Sequence, residues 1–121
     1  MGETVLVVDD HGGFRATVRE LLEAEGFDVV GEARDASTGI EAARALRPDI
    51  VLLDLQLPDL DGILASKRIA ALNGGSAIVL TSSCDPSDVV GVLEDSPALG
   101  FVPKPELSGE RLRALLTPAG T

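Results

Sequence analysis

Three runs of consecutive apolar residues, Val5-Leu6-Val7-Val8, Ile50-Val51-Leu52-Leu53 and Ala77-Ile78-Val79-Leu80, restrict the folds open to this chain more than any other feature. A strand that is apolar at every position must be covered on both faces, as happens to central strands of parallel sheets flanked by helices. Between the runs the period changes. Phe14, Val18, Leu21 and Leu22 recur at helical spacing, as do Ile40, Ala43 and Leu46, and again Ile63, Ile69 and Leu72. This alternation predicts an α/β fold of five βα units built on one parallel sheet.

Local signals punctuate the units. Gly26 is placed to stop the first helix, Asp35 or Ser37 to cap the second, Arg47-Pro48-Asp49 to end it, and Asn73-Gly74-Gly75 to end the third. Asp28 to Ala33 reads as the second strand and Gly100 to Val102 as a short fifth one. A fourth helix is expected from Asp85-Pro86 through Leu93, weakened by Gly91 and Pro97, and Leu107, Leu112, Leu115 and Leu116 form the stripe of a final helix. No repeat, linker or low-complexity tract interrupts the pattern, so residues 1–121 are expected to form a single domain.

Each apolar run is followed by a polar group. Asp9-Asp10 follow the first run, Asp54 the second, Thr81 the third, and Lys104 comes after Gly100-Phe101-Val102. If the runs are neighbours in one sheet, these groups meet at its carboxyl edge, where open α/β sheets bind ligands. Three carboxylates there repel one another unless a cation intervenes, and oxygen ligands of this charge suit Mg²⁺. Such a set belongs to phosphoryl-transfer chemistry.

Twenty acidic against ten basic residues leave a formal charge of −10, which disfavours direct nucleic-acid binding and anionic membrane surfaces. One cysteine, Cys84, excludes an internal disulfide framework, and Met1-Gly2-Glu3-Thr4 lacks the features of a signal peptide, so the expected compartment is the cytoplasm.

The segments Val7-Val8-Asp9-Asp10-His11, Pro48-Asp49-Ile50-Val51-Leu52-Leu53-Asp54, Leu57-Pro58-Asp59-Leu60-Asp61-Gly62, Leu80-Thr81-Ser82 and Gly100-Phe101-Val102-Pro103-Lys104-Pro105 together resemble the receiver domain of bacterial two-component response regulators. The stretch from His11 to Arg15, with Val30-Gly31-Glu32-Ala33, is similar to receivers that usually precede a helix-turn-helix output domain. The resemblance implies a flavodoxin-like, doubly wound (βα)5 fold with strand order 2-1-3-4-5. It also implies that Asp54 is the phosphoacceptor. Asp9, Asp10, Asp54 and the backbone carbonyl of Gln56 would hold Mg²⁺, and Thr81 and Lys104 would contact phosphoryl oxygens. A cis peptide often occurs at the matching lysine–proline bond. The implied partners are a histidine kinase or phosphotransfer protein and an effector domain or target protein, with a homodimer left open.

The same resemblance implies a switch: Phe101 turns inward as Thr81 is drawn to the phosphoryl group, reshaping the face of the fourth helix, fifth strand and fifth helix. Phe101 lacks the hydroxyl that many relatives carry, so no phenol hydrogen bond holds an outward state. Gln56 and Ser83 are expected to flank the path of water to an acyl phosphate and so to tune its lifetime. Asp59 and Asp61, in strong turn dipeptides, are expected to be turn and cap residues, and His11 to start the first helix or stand at the pocket rim. Competing readings are a phosphorylation-independent interaction module, a flavin or nucleotide protein, and an aspartate-dependent phosphatase. The last two are opposed by the absence of a Gly-x-Gly-x-x-Gly loop and of an Asp-x-Asp after the first strand.

Overall fold

The computed structural model describes residues 3–72, 76–83 and 96–116. Five parallel strands, β1 (Thr4–Val8), β2 (Asp28–Ala33), β3 (Ile50–Asp54), β4 (Ala77–Ser82) and β5 (Gly100–Pro103), form one sheet in the order β2-β1-β3-β4-β5. The helices are α1 (Gly12–Ala24), α2 (Ala36–Leu46), α3 (Gly62–Ala70) and, last in the chain, α4 (Gly109–Leu116), with a 3-10 turn at Lys104–Glu106. The fourth helix expected from Asp85, the Asn73-Gly74-Gly75 stop and Cys84 lie outside the described residues.

Residues of alternate parity on β1, β3 and β4 supply two separate cores, as the period of two in a pleated strand requires. Val5, Val7, Ile50, Leu52, Val79 and Val102 pack with Val18 and Leu22 of α1 and Leu112 of α4. Leu6, Val8, Val51, Leu53, Ile78 and Leu80 pack with Ala43 of α2 and with Ala65 and Ile69 of α3. Every residue of β3 is buried, which accounts for its unbroken apolar sequence.

Three polar devices set how these layers meet. The Thr4 amide donates to Asp49 Oδ2 and the Asp49 amide to Thr4 Oγ1, both at 2.8 Å, pinning the start of β1 to the start of β3 so that Val5 aligns with Ile50. Glu25, past the end of α1, accepts from the Gly109 amide at 2.9 Å, and Arg113 returns to the Glu25 carbonyl and stacks over Phe27, 4.7 Å from the ring centroid. Asp59 caps a helix other than its own. Its two oxygens accept from Ala36 at 2.8 Å and Ser37 at 3.0 Å, so the loop after β3 is fastened to the first turn of α2. Asp35 caps α2 from the Thr38 amide, and Asp61 caps α3 from Ile63 at 2.6 Å.

The expected stops are realised by backbone geometry. Gly26 ends α1 at φ +94°, and Arg47 takes the left-handed conformation just before Pro48. Gly62 has a steric role instead: a Cβ there would lie 2.5 Å from Leu55 Cα and 2.7 Å from the Asp54 carbonyl oxygen. Helix α3 can start this close to the end of β3 only with glycine. Gly62→Ala is therefore expected to lower unfolding free energy by about 1–3 kcal/mol, the usual range for overpacking, in urea denaturation; parental stability would mean that the loop can retreat.

Candidate functional site

The carboxyl edge of the sheet collects the residues singled out above. Asp9 follows β1, Asp54 ends β3, and strand order reverses between these two strands, making this the topological switch point of the sheet. Asp54 aligns with Thr81 of β4, and both keep the parity of Leu52 and Val79, on the side covered by α1 and α4. Asp9, Asp54 and Thr81 are only 1, 2 and 2% exposed, whereas Asp10 is exposed.

Lys104 reaches into this edge from the turn after β5. Its ammonium lies 2.7 Å from Asp9 Oδ2 and 3.4 Å from Asp54 Oδ2. The contact with Asp9 is ionic and poorly directed, and Asp9 Oδ2 has no hydrogen bond. The other oxygen, Asp9 Oδ1, accepts from the His11 amide at 2.8 Å, so the strand-end capping role and the site role divide between the two oxygens of one carboxylate. The backbone of Asp9 is held as well: Arg15 Nη1 donates to its carbonyl at 2.5 Å while Arg15 Nε contacts Glu32 of β2 at 3.1 Å.

Electrostatics follow from this burial. Burial pushes the Asp54 carboxyl above the usual carboxylate range, and nearby Asp9 adds to that, against the opposing hydrogen bond from the Gln56 amide at 3.1 Å and the charge of Lys104. For Lys104 burial favours the neutral form, but Asp9 and Asp54 outweigh it and raise its affinity for the proton.

Ligand atoms of Asp9, Asp10, His11 and Asp54 all lie within 4.8 Å of one another. Three hard carboxylates, one offering a buried oxygen held only by its ion pair with Lys104, are donors suited to a divalent cation, so the residues present fit a metal ion. His11 adds a nitrogen at the rim, 3.1 Å from Asp10 Oδ1, and also serves as the N-cap position of α1.

Other expected residues stand further out. Phe101 aligns with Leu80 rather than Thr81 and packs, half-buried, against the core under α2 and α3. Gln56 and Ser83 are exposed near the ends of β3 and β4. The lysine–proline bond corrects an expectation, since no peptide among the described residues is cis. Lys104 is aimed inward nonetheless, because Asp9, Asp54 and the ring of Phe14 surround its ammonium. The sequence marks Phe14 as a helix-core residue and, with Arg15, as part of the His11 to Arg15 stretch, and places neither at the site. The one available signal was that both lie within two turns of Asp10.

The model for the response regulator receiver domain family matches residues 5–117. The chain belongs to that family. It is 36% identical to the transcription regulator BvgA of Bordetella pertussis over 94% of its own length and 54% of the relative's, and 30% identical to the chemotaxis protein CheY of Bacillus subtilis over 95% and 96%. The chain spans about half the length of BvgA and of a similar transcriptional regulator of Pseudomonas aeruginosa. The solved signal receiver domain of NarL from Mycobacterium tuberculosis superposes with a TM-score of 0.81 at 31% identity, covering 97% of this chain and 98% of that one. No described helix of this receiver is long and apolar enough to cross a membrane.

The raised pKa of Asp54 has a signed consequence. Its favourable contribution is complete below the unfolded-state pKa and is lost as pH rises through the higher native value. Asp54→Asn, which cannot ionise, should unfold at a higher temperature than the parent at pH 7, with the gap closing as pH falls toward the carboxylate range. Thermal melts across pH check this, and a variant less stable at pH 7 would mean that the ion pair with Lys104 outweighs burial.

Proposed function

We propose that this receiver accepts a phosphoryl group on Asp54, in a Mg²⁺-dependent step, from a histidine kinase or phosphotransfer protein. The observation that carries the reading is a buried carboxylate, Asp54, set against a second buried carboxylate and a lysine at the carboxyl edge of the central strand. An oxygen of Asp54 attacks phosphorus in line. The bond from phosphorus to the donor's imidazole nitrogen breaks, its electron pair stays on that nitrogen, and an acyl phosphate forms.

Lys104 would turn from the carboxylates to a phosphoryl oxygen, and the Thr81 hydroxyl would donate to another. Asp9, Asp10, Asp54 and the Gln56 carbonyl would hold Mg²⁺, which neutralises the negative charge gathered where phosphate meets three carboxylates. Gln56 and Ser83, near the ends of β3 and β4, would govern how water reaches the acyl phosphate.

The output proposed is a shift between two packings of the face made by β5, α4 and the helix expected from Asp85, with Thr81 and Phe101 as its moving parts. Because Phe101 packs under α2 and α3, its inward turn would be coupled to Thr81 through the β4–β5 pairing. The domain, over residues 1–121, would act in the cytoplasm as a signalling module whose only chemistry is its own phosphorylation and dephosphorylation. BvgA is a transcription regulator matched over half its length, which supports an effector domain or target protein as the recipient of the signal. The charge of −10 speaks against DNA binding by the receiver itself.

Incubation with acetyl phosphate and Mg²⁺, followed by intact mass, is expected to yield a phosphoryl adduct that is lost in Asp54→Asn and in chelator. An unreactive but folded protein would sink the proposal in favour of an interaction module that needs no phosphate.

A further inference from the structure

Lys104 has three neighbours at the site, and only two are carboxylates. Its ammonium also lies 4.5 Å from the centroid of the Phe14 ring, within the ~6 Å at which the negative face of an aromatic ring attracts a cation. Phe14 sits in the first turn of α1, half-buried against the core shared by β1, β3 and α1, so its ring is backed by packed side chains. The Lys104 side chain is only 12% exposed, which keeps solvent from screening the contact.

We propose that Phe14 is a positioning residue for Lys104, holding the ammonium at the mouth of the site by its ring face. The inference rests on the phosphoacceptor reading given above. Asp9 and Asp54, which would hold a cation, are the same carboxylates that hold Lys104, so the metal would compete with the ammonium for them. The ring is a partner for which neither a metal ion nor a phosphoryl oxygen competes. A lysine freed from its carboxylates would otherwise recover its rotamer freedom and have to be recruited again at the moment of transfer. Held on the ring, it exchanges a carboxylate oxygen for a phosphoryl oxygen without leaving the site.

The test compares the parent protein with Phe14→Tyr, Phe14→Leu and a protein carrying pentafluorophenylalanine at position 14, which nearly keeps the shape of the ring but reverses the charge of its face. With Mg²⁺ and acetyl phosphate, adduct formation should slow about threefold to tenfold in the leucine and pentafluoro proteins and stay within about twofold in Phe14→Tyr. In NMR spectra of the metal-free protein, the ε-methylene protons of Lys104 should lie upfield under the ring current and return toward the ordinary lysine position in Phe14→Leu.

A pentafluoro protein that reacts at the parental rate, or Lys104 signals unmoved by Phe14→Leu, would overturn the proposal. Lack of any adduct in the parent would instead strike at the chemistry of Asp54, while the lysine signals would still report whether the ring holds the ammonium.

Discussion

Helices cover both faces of the central strands, and most of what is particular about this molecule follows from that constraint. No residue inside β1, β3 or β4 can carry charge without stranding it in a core, so polar chemistry is confined to the strand ends. At the carboxyl end, the reversal of strand order between β1 and β3 opens a crevice, and Asp9 and Asp54 come from the two strands that flank it. The Thr4–Asp49 hydrogen bonds at the opposite end set the same two strands in register, so a half-buried threonine and an exposed aspartate help fix where two buried carboxylates meet.

Gathering those carboxylates is unfavourable by itself, and the site is arranged around that fact. Burial and the neighbouring Asp9 raise the Asp54 pKa, and Lys104, bound to both acids, offsets part of the cost. Asp9 resolves two demands at once, since one oxygen holds the turn into α1 and the other is left without a hydrogen bond beside the ammonium. The loop after Asp54 is restrained from two sides. The Gln56 amide bonds back to Asp54, and Asp59 fastens the same loop to the first turn of α2.

Much of this was legible before the fold was known. Unbroken apolar runs, helical periodicity and the glycine and proline stops located the described strands and helices to within a residue or two, because each is a short-range property of the chain. Asp54, Asp9, Asp10, Thr81 and Lys104 were visible as polar residues ending such runs. Less legible were contacts between elements distant in sequence. Asp59 read as a turn or cap residue, but that the helix it caps is α2 depends on where the loop after β3 passes in space. The expected cis bond at Lys104 is absent among the described residues, and three convergent contacts, rather than a kinked backbone, direct that side chain.

By itself, then, the sequence determined the order of elements, the covering of the sheet on both faces and the identity of the groups at its carboxyl edge, since periodicity and composition act locally. Strand pairing and distance were left to the tertiary structure. It aligned Asp54 with Thr81, gave the buried oxygen of Asp9 to Lys104, and put Phe101 on the face away from Thr81. It also brought the ring of Phe14 against an ammonium ninety residues along the chain. Such contacts arise from register and helix placement, which are settled only when every element packs at once.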